Sequence, residues 1–184
     1  MLLWSGMSAM VVLEQAMNLA WSTTARRTYL ARRGVALLTL LVIAVLGVLS
    51  FGISALIRAA ASSSSPYLSW LREMTPILKY PVPALASIGL FVVIYKLLPN
   101  TRVRWKTALV GGVFAGVMWE LAKYVFTFYI VHWPGHNKVY GSLASVILLM
   151  LWLEYSAVIA ILGAEFASLW SRKHEGLSYL AVPR

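Results

Sequence analysis

This 184-residue chain predicts an all-α fold, a polytopic transmembrane helical bundle of about five spans, and three observations carry that prediction. Hydrophobic residues make up 60% of it, charged residues only 12%, and its mean hydropathy is +0.77, whereas charged residues are about a quarter of an average soluble domain. Apolar windows long enough to cross a bilayer, which takes about twenty residues, recur at roughly 1–23, 35–57, 80–98, 107–131 and 140–170. These windows make one integral membrane domain, 1–184. The basic residues behind the net charge of +10 are grouped between the windows: Arg26, Arg27, Arg32 and Arg33 in one loop, Arg102, Arg104 and Lys106 in another, Arg172 and Lys173 after the last. Cytoplasmic loops hold such groups, so the carboxyl terminus is expected in the cytoplasm and the amino terminus outside. A basic chain can also mean a nucleic-acid partner, but this grouping reports topology. The expected partner is the lipid bilayer, with no nucleic acid.

The first span opens on Met1-Leu2-Leu3-Trp4, which reads as the middle of a hydrophobic helix with no charged leader or cleavage pattern. The expectation is a chain that forms the downstream part of a longer protein. Glu14, Gln15 and Asn18 make a polar stripe there, with Glu14 and Asn18 at helical spacing. The stripe should face the bundle and bond neighbouring helices, at about 0.6 kcal/mol a bond, or contact a substrate. After the second span, Ser62-Ser63-Ser64-Ser65-Pro66 reads as a turn and 67–79 as a segment along the interface. Pro81 and Pro83 start the third span where a missing N–H costs least, Pro99-Asn100 stops it, and Lys96 should snorkel to the headgroups. His132 and His136 have metal-ligand spacing, but Pro134-Gly135 breaks the helix this spacing needs. Eight Trp and nine Tyr suit interfacial belts, with Trp70, Trp105, Trp133 and Trp170 at span ends.

Without cysteine there is no disulfide framework, no thiolate nucleophile and no Cys-based metal site. No metal, cofactor or catalytic group is expected, and the chain does not read as an enzyme. In the fourth span Ala108, Gly112, Gly116 and Glu120 recur every four residues with Lys123 one turn on, so they share a face. Gly112-x-x-x-Gly116 brings a neighbouring helix close, and its continuation points Glu120 and Lys123 inward. An unpaired mid-membrane charge costs about 2.5 to 3.5 kcal/mol or more. The favoured reading is therefore a structural intrahelical pair, and the alternative is a polar pathway for an ion, proton or substrate. Glu154 and Glu165, eleven residues apart, share a face of the fifth span. Glu165 should anchor to Arg172, Lys173 or the Arg102–Lys106 loop, and Glu154 is the deeper candidate for a pathway.

These residues resemble a known pattern. Leu3-Trp4-Ser5, Asn18, Tyr95-Lys96-Leu97-Leu98-Pro99-Asn100, Arg102-Val103-Arg104-Trp105-Lys106, Gly111-Gly112, Trp119-Glu120, Lys123, Phe126, Tyr129, Tyr140-Gly141-Ser142, Leu151-Trp152-Leu153 and Gly163-Ala164-Glu165 follow, in order, the YihY/BrkB family of bacterial inner-membrane proteins. The resemblance covers almost the whole chain. It implies six spans with both termini cytoplasmic, of which the first is the one absent here, and Glu154 departs from it, since the family usually carries an uncharged residue there. It also implies an inner-membrane protein that supports cell-envelope integrity, by transporting an ion, small solute or lipid or as a non-transporting scaffold, with further copies or other envelope proteins as partners. A third reading, the tRNA-processing ribonuclease of an inherited family label, needs an acid–base pair or metal cluster within reach of RNA. The His residues, in a turn and at the tail, and acids mostly within spans do not suit it.

Overall fold

The computed structural model describes residues 2–23, 27–62, 81–132 and 143–175. The Ser-rich turn at 63–66, the interfacial segment 67–79, the turn around Pro134 and the Tyr140-Gly141 motif lie outside them. Among the described residues the chain forms five α-helices: α1 (Leu2–Ala20), α2 (Tyr29–Ser62), α3 (Pro81–Leu97), α4 (Trp105–His132) and α5 (Leu143–Glu175). Tyr29–Ile53, Trp105–His132 and Leu143–His174 are each long and apolar enough to cross a membrane, and α3 is a shorter apolar helix. The fold is an all-α bundle of membrane type.

Local chemistry sets the helix ends. Helix α1 stops in a paired turn, with Ser22 N–H donating to the Leu19 carbonyl and Thr23 N–H to the Asn18 carbonyl. This pattern puts one residue in the left-handed region, usually glycine; here it is Ser22, with φ of 51°. Helix α3 begins on Pro81 and yields after Leu97, where Pro99 has no N–H to continue it.

Each helix packs on the next in chain order and α1 returns to α5, closing a ring. Consecutive helices run in opposite directions. The C-terminal ends of α1, α3 and α5 therefore meet the N-terminal ends of α2 and α4, and the three basic groups gather at this one end of the bundle. Arg172 Nη2 donates to Ser22 Oγ (2.8 Å) and Asn100 N–H to Asn18 Oδ1 (2.7 Å) across it.

The buried core lies mostly toward that basic end: Met17, Trp21, Phe91, Tyr95, Leu98, Val103 and a set of alanines on α4 and α5. Small residues allow it. A Cβ on Gly112 would stand 2.9 Å from the Val92 amide nitrogen, and one on Gly116 3.0 Å from Ile88 Cα, so this pair seats α3 against α4 backbone to backbone. The opposite face of α4 does the same with α5, where a Cβ on Gly163 would meet Ala115 Cβ at 2.7 Å. Toward the other end the packing loosens: α2 exposes Val45, Val48, Phe51 and Leu56 around its rim, the apolar surface that acyl chains cover.

Candidate functional site

Among the described residues two polar clusters stand out in this apolar bundle, one at the basic end and one part-way along α4. At the basic end Glu14 of α1 is buried beneath two guanidiniums, with Arg27 Nη1 at 3.5 Å from Oε1 and Arg32 Nε at 3.3 Å from Oε2. Arg27 continues past it, donating to the carbonyls of Leu98 (3.0 Å), Pro99 (3.1 Å) and Leu97 (3.4 Å). These are the acceptors the end of α3 leaves without helical partners, and a cation there also meets the negative end of the helix dipole. Glu14 thus holds the arginine that caps α3. Asn18, one turn on, accepts from the Asn100 amide and fixes the chain just beyond that cap.

Lys96 does not reach outward from this end. It donates to the Val103 carbonyl and lies 4.9 Å from the centre of the Trp105 ring, so the α3–α4 turn takes up the charge expected at the headgroups. Tyr95, fully buried, donates to the Ala160 carbonyl at 2.9 Å, and Gly163 leaves the space its ring occupies.

The second cluster lies where the small-residue stripe of α4 gives way to larger side chains. Glu120 Oε1 is 2.6 Å from Lys123 Nζ on the same helix and 2.8 Å from Ser87 Oγ on α3. The Ser87 hydroxyl is also 3.0 Å from the Pro83 carbonyl, so its single proton has two acceptors to choose between. Glu120 and Lys123 are about one-third exposed, far from the burial of Glu14.

Around this cluster the helices part. A cavity of about 360 Å³ between α2, α3 and α4 is lined by Leu46, Phe51, Ser87, Phe91, Trp119 and Lys123. A second of about 340 Å³, between α4 and α5, has Lys123, Thr127, Leu149 and Trp152 in its wall. Lys123 stands in the wall of both, and the two together are termed the vestibule. Glu120 lines neither cavity but is bonded to Lys123 and Ser87 of their walls, so the charged pair adjoins both. Aromatic rings make its floor: Phe91 against Trp119 (5.8 Å between centres), Trp119 against Trp152 (5.0 Å) and Trp152 against Phe126 (4.9 Å). Below them Phe91 leads to Tyr95 and Tyr95 to Trp21, so rings in contact run from the vestibule to the basic end.

The other acidic candidates fall elsewhere. Glu154 and Glu165 are exposed on the perimeter of α5 and form no ion pair among the described residues. Trp152 turns toward α4, and at 100° per residue Glu154 and Glu165 come about 200° and 220° round from it, facing away from the bundle. Depth along the span does not make Glu154 buried, and neither Arg172 nor Lys173 anchors Glu165. The structure therefore gathers Glu120, Lys123, Gly112 and Gly116 on the α3-facing side of α4, and Glu14 with Asn18 at the basic end. It adds Ser87 and Arg27, which the sequence did not single out as site residues. Ser87 carries a weak signal, a hydroxyl in an otherwise apolar stretch; Arg27 reads only as one more loop charge.

Known proteins give this arrangement a context. The family model for virulence factor BrkB matches residues 1–180. A UPF0761 membrane protein of Paraburkholderia xenovorans is 32% identical over 162 residues, covering 86% of this chain and 36% of that protein. One of Glaesserella parasuis is 31% identical over 156 residues, covering 85% of this chain and 54% of that protein. In Tolumonas auensis another is 41% identical over 87 residues, 47% of this chain and 29% of the relative. The chain spans between about a third and a half of the length of these curated relatives. No solved structure matches it. With the family model covering nearly every residue and the motifs meeting in one bundle, the chain belongs to the virulence factor BrkB (YihY/UPF0761) family of membrane proteins.

Proposed function

We propose that this protein is a transport protein of the bacterial inner membrane, moving an ion, small solute or lipid in support of the cell envelope, with its carboxyl terminus in the cytoplasm. One observation carries the reading: the Glu120–Lys123–Ser87 cluster adjoins cavities between α2, α3 and α4 and between α4 and α5, with aromatic rings and close-packed helices toward the basic end. A cargo in the α2–α3–α4 cavity touches Ser87 and Lys123 in its wall, the two side chains to which Glu120 is bonded. Buried or half-buried charges within a span are costly, and a pathway is their usual use. Under the positive-inside rule the basic groups assign the close-packed end to the cytoplasm, which puts the cavities on the outer side of that packing.

Reconstitution in proteoliposomes tests this. Wild-type protein is expected to carry flux of one of a panel of ions, solutes and labelled lipids, and Glu120→Gln to reduce that flux by about tenfold or more, the effect of a lost charge-assisted contact. Equal flux from wild type, variant and empty vesicles for the whole panel defeats it. The intrahelical pairing of Glu120 with Lys123, complete without any cargo, favours a second reading as a non-transporting scaffold for other envelope proteins. Flux silence with an intact envelope phenotype in Glu120→Gln is the outcome that selects it.

A further inference from the structure

We infer that the vestibule binds the headgroup of a zwitterionic phospholipid bearing a primary ammonium, with the ammonium on Glu120 and the phosphate on Lys123. This names the cargo class of the transport reading and rests on that reading. The charges of the cluster set the argument. Glu120 and Lys123 neutralise each other at 2.6 Å in apolar surroundings. A simple cation entering must displace Lys123 from the carboxylate and leave an ammonium unpaired, and a simple anion must do the same to Glu120, so either leaves a charge without its partner inside the span. A ligand with both charges replaces one pair by two, and nothing is stranded.

Hydrogen bonding fits the same ligand. Ser87 and Lys123 converge on Oε1 of Glu120, so Oε2 can accept a further donor. The Ser87 proton has the Pro83 carbonyl as its other acceptor, at 3.0 Å, and can move there when an ammonium with its three N–H donors arrives. Lys123 keeps donors for a phosphate once released from Glu120.

Walls and depth select the amphiphile over a free zwitterion. Leu46, Phe51, Leu90, Phe91 and Trp119 line the cavity beside the cluster, and Phe51 on its α2 side is 74% exposed, a surface for the surrounding acyl chains. Helix α4, at 28 residues, is about 42 Å long, close to a whole bilayer with its headgroups. Lys123 lies nine residues (132 − 123) before His132, about 14 Å from that end of the helix. The hydrocarbon boundary falls about 6 Å in from the same end, leaving the backbone of Lys123 about 8 Å and that of Glu120 about 12 Å below it. A lipid can lower its headgroup that far while its chains stay among other chains, and the lysine stem shortens the remaining distance.

Native mass spectrometry of the full chain in mild detergent, with lipids competing pairwise, tests the inference. Phosphatidylethanolamine is expected to be retained about tenfold over phosphatidylglycerol, which lacks the ammonium, and over phosphatidylcholine, whose quaternary nitrogen has no N–H to give Glu120. Free phosphoethanolamine is expected to compete only weakly. Equal retention of phosphatidylglycerol or phosphatidylcholine overturns the inference, and strong competition by phosphoethanolamine overturns the lipid as its source. These comparisons use wild-type protein, so they stand whether or not variants fold; in Glu120→Gln/Lys123→Gln the preference should vanish, and its survival also counts against the site. Selective binding without lipid movement in proteoliposomes breaks the transport reading alone. Flux of another species without phosphatidylethanolamine selectivity breaks this inference alone.

Discussion

At the basic end Gly112 brings α3 and α4 together until backbone meets backbone, while two turns further along the same helix Trp119 and Trp152 stand 5.0 Å apart and hold α4 and α5 at ring distance. The ionic clusters differ in the same sense. Glu14 is 4% exposed, bonded to two arginines, one of which is committed to carbonyls of a third element; Glu120 is 33% exposed and bonded to a lysine on its own helix and a serine that has another acceptor. One cluster is fastened by many partners that cannot all be exchanged, and the other by few that can. A charged group that can trade partners without being stranded suits binding, whereas one whose loss uncaps a helix suits scaffolding.

The largest expected effect breaks the fastened end. Glu14→Ala leaves Arg27 and Arg32 without their carboxylate and should cost about 3 kcal/mol, the lower range for one partner of a buried pair, because Arg27 keeps its carbonyl acceptors. Unfolding in mixed micelles by added dodecyl sulfate measures it, and a change under 1 kcal/mol would mean the knot at this end is ornamental. Gly112→Ala comes next, at about 2 kcal/mol, since the added methyl presses on the Val92 backbone, which cannot rotate aside as a side chain can. An unchanged midpoint in the same titration would show that α3 and α4 have room to spare. Ser87→Ala should cost about 1 kcal/mol or less, a single net hydrogen bond, while altering headgroup preference in the lipid competition. Equal losses in stability from Ser87→Ala and Glu14→Ala would erase the distinction between the two ends. Smallest is Gly52→Ala on α2, where an added Cβ meets nothing within 4 Å; the gain in helix propensity should stabilise by about 0.5 kcal/mol, and a loss would reveal a neighbour on that side.

Much of the fold could be read from residues. The apolar windows correspond to helices, although α2 starts at Tyr29 rather than near 35 and α5 runs on to Glu175, because helices continue past the hydrocarbon into their flanking basic turns. The spacing of Gly112, Gly116, Glu120 and Lys123 already placed them on one side of α4, and Val92, Ile88 and Ser87 turn out to be what that side meets. Ser87 itself could not be read as a partner, since it lies 33 residues away in the chain and no local pattern joins it to Glu120. Glu154 illustrates the opposite limit. Its position along α5 is plain from sequence, but which way it faces depends on the rotation of α5 about its own axis, fixed by Trp152 packing on Trp119 and Phe126.

Sequence by itself determined the membrane class, the grouping of charge between spans and the small-residue stripe, because hydropathy, charge and helical periodicity are sums over neighbours in the chain. Only the tertiary structure decided that Arg27 caps α3 through Glu14, that the Glu120–Lys123 pair meets Ser87 of α3, and that Glu154 and Glu165 face outward. Those are statements about helix phase and partner, and both are settled by side-chain contacts between segments far apart in the chain.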